Sequence, residues 1–121
     1  MNILTIFLSA IILIGIDGIY LYLTKSFTQR QISMIQGSSV SMNIYGILLC
    51  YICLIVGINY FIIDQNKSVM DAFILGIVIY GVYEGTNWAI FKMWSPLLVV
   101  MDTLWGGILF ALTTYIIKKI K

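Results

Sequence analysis

The sequence predicts an all-α integral membrane protein, a bundle of four antiparallel transmembrane helices. Three observations predict it. Apolar residues make up 61% of the 121 residues and charged residues only 10%. A soluble domain carries about 25% charged residues, so this chain has too few to cover a water-facing surface. The apolar residues fall into four continuous runs, each near or above the roughly 20 residues that cross a bilayer. The runs do not alternate and are too few to close a barrel, which argues against strands. The length suits one domain, read as a single transmembrane domain over residues 1–121.

The first run covers 3–24, from Ile3 to Thr24. It has no basic leading segment, Asp17 interrupts it, and no A-x-A-like site follows, so it is expected to be a retained span rather than a cleaved leader. The connection from Lys25 to Ser39 is polar and mixed. Phe27, Ile32, Met34 and Ile35 punctuate it, and part is expected to lie in the interface as a short helix. Gly37-Ser38-Ser39 reads as the turn into the second run, 40–63. That run holds Cys50 and Cys53, a CxxC without a charged neighbour, read as small packing residues rather than a redox pair.

Asp64 to Ser68 is a tight polar turn leading to the third run, 69–91. Lys92 to Ser95 is equally short, and Pro96 suits the first turn of the fourth helix, 96–117. Short loops make neighbouring helices antiparallel. Trp94 and Tyr60 are read as interface anchors. Both termini and the second connection share one side, with Lys67, Lys118, Lys119 and Lys121; the other carries Lys25, Arg30 and Lys92. The positive-inside rule then places both termini in the cytoplasm.

Several function classes fall away. There is no His, so haem held by His, typical zinc sites and Ser-His or Cys-His catalysis are out of reach. The net charge of +2 is too weak to suggest a nucleic-acid partner. No metal motif, nucleotide loop or cofactor motif is present, and neither a metal nor a cofactor is expected.

Five acids remain. Asp64 and Asp71 lie in or beside the second turn, but Asp17, Glu84 and Asp102 fall inside runs. Each costs roughly 2.5–3.5 kcal/mol at a helix centre on insertion scales. Each also lies six or seven residues from the end of its run, at Thr24, Phe91 and Pro96 respectively. That is roughly 9–11 Å of helix. Antiparallel threading puts those three ends on one membrane side, so three acids from three helices are expected at one level, in one shared pocket.

Helical spacing supplies neighbours. Asn87 shares a face with Glu84, and Tyr80 and Trp88 lie one turn to either side. Asp102 shares a face with Trp105 and Gly106, and Asp17 with Tyr20. Tyr51 falls at the matching depth of the second run. The expected site is therefore Asp17, Glu84, Asn87 and Asp102, shaped by Tyr20, Tyr51, Tyr80 and Trp105. No Lys or Arg lies inside the runs, so the acids need a proton or a cation between them. Oxygen ligands suit hard cations; a ligand ammonium held by carboxylate and aromatic faces fits equally well.

Three functions follow from this. The leading one is a transporter or channel-like protein that binds or conducts a cation or proton, with a homo-oligomer to thicken the wall. A second is an enzyme or accessory subunit of membrane-lipid metabolism, using a carboxyl as general acid or base. The third is a structural or assembly protein, since acids, Asn and Tyr can bond helices together in lipid at about 0.6 kcal/mol per contact. Gly81-xxx-Gly85 would allow close helix approach in the same role.

At these residues the chain resembles a family. Tyr83-Glu84-Gly85-Thr86-Asn87 is similar to the Tyr-Asp-x-Thr-Asn motif of the small membrane proteins grouped as domain of unknown function 2177. Asp102-Thr103-Leu104-Trp105-Gly106 resembles their Asp-x-x-Trp-Gly. Asp17-Gly18-Ile19-Tyr20-Leu21 resembles their Asp-x-x-Trp-Leu. The resemblance covers nearly the whole chain. Glu84 stands for the usual Asp and Tyr20 for the usual Trp, which keeps the chemistry and changes reach and size. The resemblance implies a membrane-lipid context, because members look like neighbours of lipid-modifying enzymes in bacteria. It implies no defined activity.

Overall fold

Each helix boundary follows from a capping residue. The computed structural model describes residues 2–121. Helix α1 runs Ile3–Gln36 and α2 runs Ile44–Ile58, passing directly into a π-helical turn at Asn59–Ile63; α3 is Val69–Ile90 and α4 is Pro96–Ile120. All four spans are long and apolar enough to cross a membrane. The fold is the expected antiparallel membrane bundle.

The side chain of Asn2 accepts the Thr5 N–H and starts α1. The helix is 34 residues long and does not stop near Thr24. No Gly or Pro stands between Thr24 and Gln36, and Lys, Gln and Arg all propagate a helix well. The expected interfacial helix around 27–35 is therefore a continuation of α1. It stops at Gly37, whose φ of 76° is the left-handed cap conformation and whose N–H bonds the Ser33 carbonyl at 2.9 Å. Thirty-four residues span about 50 Å, against about 30 Å of hydrocarbon. The last turns of α1 overhang the bundle, and there Gln31 donates to the Met93 carbonyl.

Helix α2 begins four residues later than the apolar run, because the Asn43 side chain accepts the N–H groups of Tyr45 and Gly46. At its other end the Asp64 N–H reaches back five residues to the Asn59 carbonyl. Ser68 caps α3 in a reciprocal box with Asp71, which accounts for that acid. Ser95 caps α4, with Pro96 in its first turn. Cys50 and Cys53 are free and lie on the outer surface of α2 rather than packed inside.

Helices α3 and α4 form the tightest pair. A Cβ added to Gly76 would lie 2.1 Å from the Gly106 carbonyl oxygen and 2.9 Å from Gly107 Cα. One on Gly106 would strike the Tyr80 ring at 2.2 Å. The expected contact at Gly81 and Gly85 is displaced to these glycines. Gly81 only approaches Thr103, and Gly85 has open space around it. Leu13, Leu54, Ile58, Ile62, Ala72, Leu109 and Phe110 form the buried core. Outside it the surface is apolar: Phe7, Leu49, Val82 and Leu104 all face outward, as a lipid-facing wall requires.

Gly76→Ala is expected to cost about 1–3 kcal/mol, the usual range for overpacking a tight contact. Gly85→Ala should fall within about 0.5 kcal/mol of the wild type. Unfolding in detergent, followed by circular dichroism, measures both. Equal stability of the two variants would refute the close α3–α4 contact.

Candidate functional site

The three acids of the spans are joined through hydrogen bonds, a ring stack and one carboxyl contact. Helices α1 and α4 run antiparallel, so a step along one is met by the opposite step along the other. Asp17 and Tyr20 are three apart on α1; Asp102 and Trp105 are three apart on α4. The two pairs cross over. The Trp105 indole N–H donates to Asp17 at 2.9 Å, and the Tyr20 hydroxyl donates to Asp102 at 2.5 Å. Between these bonds the two rings stack, centroids 4.5 Å apart and planes within 3°. Each helix thus supplies one acid and one aromatic donor. Tyr in place of Trp at position 20 keeps a donor at the ring's tip.

Asp17 is 5% exposed. Its second oxygen accepts the Tyr51 hydroxyl of α2 at 2.5 Å. Both oxygens of Asp17 are therefore bonded, by α2 and α4 together.

Glu84 is differently placed. It is fully buried. One oxygen accepts the indole N–H of Trp94 at 2.9 Å; the other has no hydrogen-bond partner among the described residues. Its carboxyl neighbour across the α3–α4 contact is Asp102. Two carboxyls in contact, without a basic group beside them, require a proton or a cation.

Trp94 was expected as an interface anchor. It is instead 6% exposed and turned inward over Glu84. The reason is the tight turn between α3 and α4. Phe91 leaves the helix in an extended conformation, the Trp94 N–H bonds the Phe91 carbonyl at 3.2 Å, and Gln31 holds the Met93 carbonyl from α1. The turn is pinned from both sides, and its one aromatic side chain with a hydrogen-bond donor, Trp94, folds inside. A composition-based rule for tryptophan places it at the membrane surface; the ten-residue spacing from Glu84 across a four-residue turn was the signal for the inward placement.

Of the remaining expected residues, Tyr80 packs on Gly106 and against the core. Asn87 is half-buried and pairs with Tyr83, one turn earlier. Trp88 is exposed. Asn59 was not foreseen. It is fully buried, donates to the Ser9 hydroxyl and to the Ile55 carbonyl, each at 2.9 Å, and leaves its own carbonyl oxygen unpartnered among the described residues. It opens the π turn, and a lone amide in the apolar stretch from Tyr51 to Ile63 was the available signal.

The core separates these two polar levels. Leu13 lies between Ser9 and Asp17 on the buried stripe of α1, and Leu54, Ile58, Leu109 and Phe110 pack at the same layer. No group of three or more acids, His or Cys among the described residues is arranged to hold a metal ion.

Residues 2–117 match a family described as "Predicted membrane protein (DUF2177)". No curated protein and no solved structure matches the chain.

The crossed pairs are testable by a double-mutant cycle. Tyr20→Phe and Asp102→Asn should couple by about 0.6 kcal/mol, up to about 1.7 kcal/mol, as hydrogen bonds between membrane helices do. The measurement is unfolding free energy in mixed micelles. Strict additivity would mean that the Tyr20–Asp102 bond contributes nothing.

Proposed function

The chain belongs to the DUF2177 family of predicted membrane proteins, and we propose that within it Glu84 and Asp102 form an intramembrane carboxyl pair that takes up and releases a proton or a small cation. The carrying observation is the fully buried Glu84 oxygen that no donor satisfies, beside a second carboxyl. A buried acceptor left unpaired costs roughly 1–3 kcal/mol, more when charged. A proton shared with the neighbouring Asp102 carboxyl, or a cation between the two, removes that cost.

The roles divide accordingly. Glu84 and Asp102 hold the exchangeable charge. Tyr20 orients Asp102, and Trp94 orients Glu84 while shielding it. Asp17 has both oxygens bonded, which favours a positioning role for it, with Tyr51 and Trp105 as its donors. Tyr80 shapes the wall through Gly106. Asn87 belongs to the turn of α3 nearer the 91–95 connection.

Access is one-sided in this reading. The layer of Leu13 and Phe110 closes the path toward the termini, and Trp94 closes the other end. A single bundle therefore works by binding and relay, with movement of the 91–95 turn admitting the ion, rather than as an open pore. Conduction through the membrane would require a homo-oligomer. We assign the end with both termini to the cytoplasm, since it carries Lys67, Lys118, Lys119 and Lys121.

The test is ion and proton flux in proteoliposomes, with infrared spectroscopy on the same samples. The wild type should carry a measurable flux and show a carboxylic-acid carbonyl band that responds to pH. Glu84→Gln and Asp102→Asn should each lower flux at least about tenfold, as loss of a roughly 1.4 kcal/mol interaction would, and Glu84→Gln should remove that band. Absence of flux in the wild type, or flux unchanged in both variants, would sink the proposal.

A further inference from the structure

The end of the bundle away from the carboxyl pair holds a second candidate site. A cavity of about 240 Å³ opens between the start of the 64–68 turn and the last turns of α4, lined by Ile63, Asn66, Thr114, Ile117, Lys118 and Lys121. The four α4 residues follow the i, i+3, i+4, i+7 spacing of one helix face. Lys118 and Lys121 are exposed at its mouth, and Thr114 lies at its floor, 1% exposed.

Thr114 is the informative residue. A threonine in a helix ordinarily donates its hydroxyl to the carbonyl four residues earlier, and Thr113 does so, to Leu109 at 2.8 Å. The Thr114 hydroxyl is buried without a hydrogen-bond partner among the described residues. Thr114 borders the cavity, and its hydroxyl, covered in this structure, keeps an unused donor there. The two ammonium groups are held near it: Lys118 donates to the Asn66 side-chain oxygen at 3.2 Å, and Lys121 to the Thr5 hydroxyl at 2.9 Å. Each ammonium carries three donors, so each has donors to spare. Asn66 itself is set by the turn in a left-handed conformation, φ 52°. Ile63 and Ile117 supply apolar walls.

We propose that this cavity binds a phosphate group, with Lys118 and Lys121 as charged donors, the Thr114 hydroxyl as the buried donor, and Ile63 and Ile117 against whatever carbon the phosphate bears. An oxyanion with several acceptor oxygens matches the donors that two ammonium groups and a hydroxyl keep spare. The position at the end of a membrane span suits the headgroup of an anionic phospholipid; free phosphate offers the same chemistry.

The experiment uses the full chain purified in neutral detergent and native mass spectrometry, with dioleoylphosphatidic acid and dioleoylglycerol as probes. The pair share their acyl chains and differ in the phosphate. Phosphatidic acid should be retained and dioleoylglycerol should not. Lys118→Gln combined with Lys121→Gln should lower retention at least about tenfold. Thr114→Val, which keeps the shape and removes the donor, should lower it about threefold to tenfold. Lys119 lies over the Tyr115 ring and outside the cavity, so Lys119→Gln should leave retention unchanged. Thermal unfolding of each variant confirms that it is folded. Displacement of the lipid by millimolar inorganic phosphate supports the site with free phosphate as a competent occupant; resistance to it supports the lipid headgroup. Equal retention of both probes, an unchanged Thr114→Val, or a Lys119→Gln loss equal to the double variant would each overturn the site in favour of plain surface attraction.

Discussion

A carboxyl in hydrocarbon has no water to bond, so its donors must come from other helices. This constraint organises the bundle. Asp17 and Asp102 face opposite ways along antiparallel helices, and each is served by an aromatic donor three residues from the other acid. The stacked rings of Tyr20 and Trp105 bring those donors to their acceptors and fill the space between α1 and α4. Sliding α4 by a turn would break both crossed bonds at once, so the crossed pairs set the register as well as bonding the helices.

Helix α3 stands close to α4. Gly76 lies against the Gly106 backbone, and Gly106 admits the Tyr80 ring. That approach carries Glu84 to Asp102. It also shortens the turn that follows, which brings Trp94 inward over Glu84 rather than out to the membrane surface. Among the described residues, the buried Glu84 oxygen that no fixed donor reaches thus lies beside Asp102, where the two tightest helices meet. The α1 overhang completes the enclosure through Gln31.

The two ends of the bundle differ in chemistry because the core divides them. Above the layer of Leu13, Leu54 and Phe110 the polar groups are acids with aromatic donors. Below it the buried polar groups are amides and hydroxyls, Asn59, Ser9 and Thr114, with Lys118 and Lys121 and the acids Asp64 and Asp71 at the exposed edge. An acceptor-rich level and a donor-rich level in so small a chain leave each with an unfilled bonding capacity of opposite kind. The proposed proton or cation site rests on the first, and the proposed phosphate site on the second.

Hydropathy alone determined that there are four spans and where the last two connections fall, because lipid demands long apolar runs whatever they pack against. Counting from the ends of those runs sets the expected level of the three acids, since helical rise is fixed by the backbone. The length of α1 was legible too, in the lack of any breaker before Gly37, but the polar composition of Lys25 to Gln36 hid it. What the sequence could not determine was direction around each helix axis. Glycines at 81 and 85 look as able to approach a neighbour as those at 76 and 106; only the packed rotation of α3 chose the latter. It also left Glu84, alone of the three acids, fully buried with one oxygen unbonded, because a donor's place is decided by the helix opposite and not by the residues on either side of it.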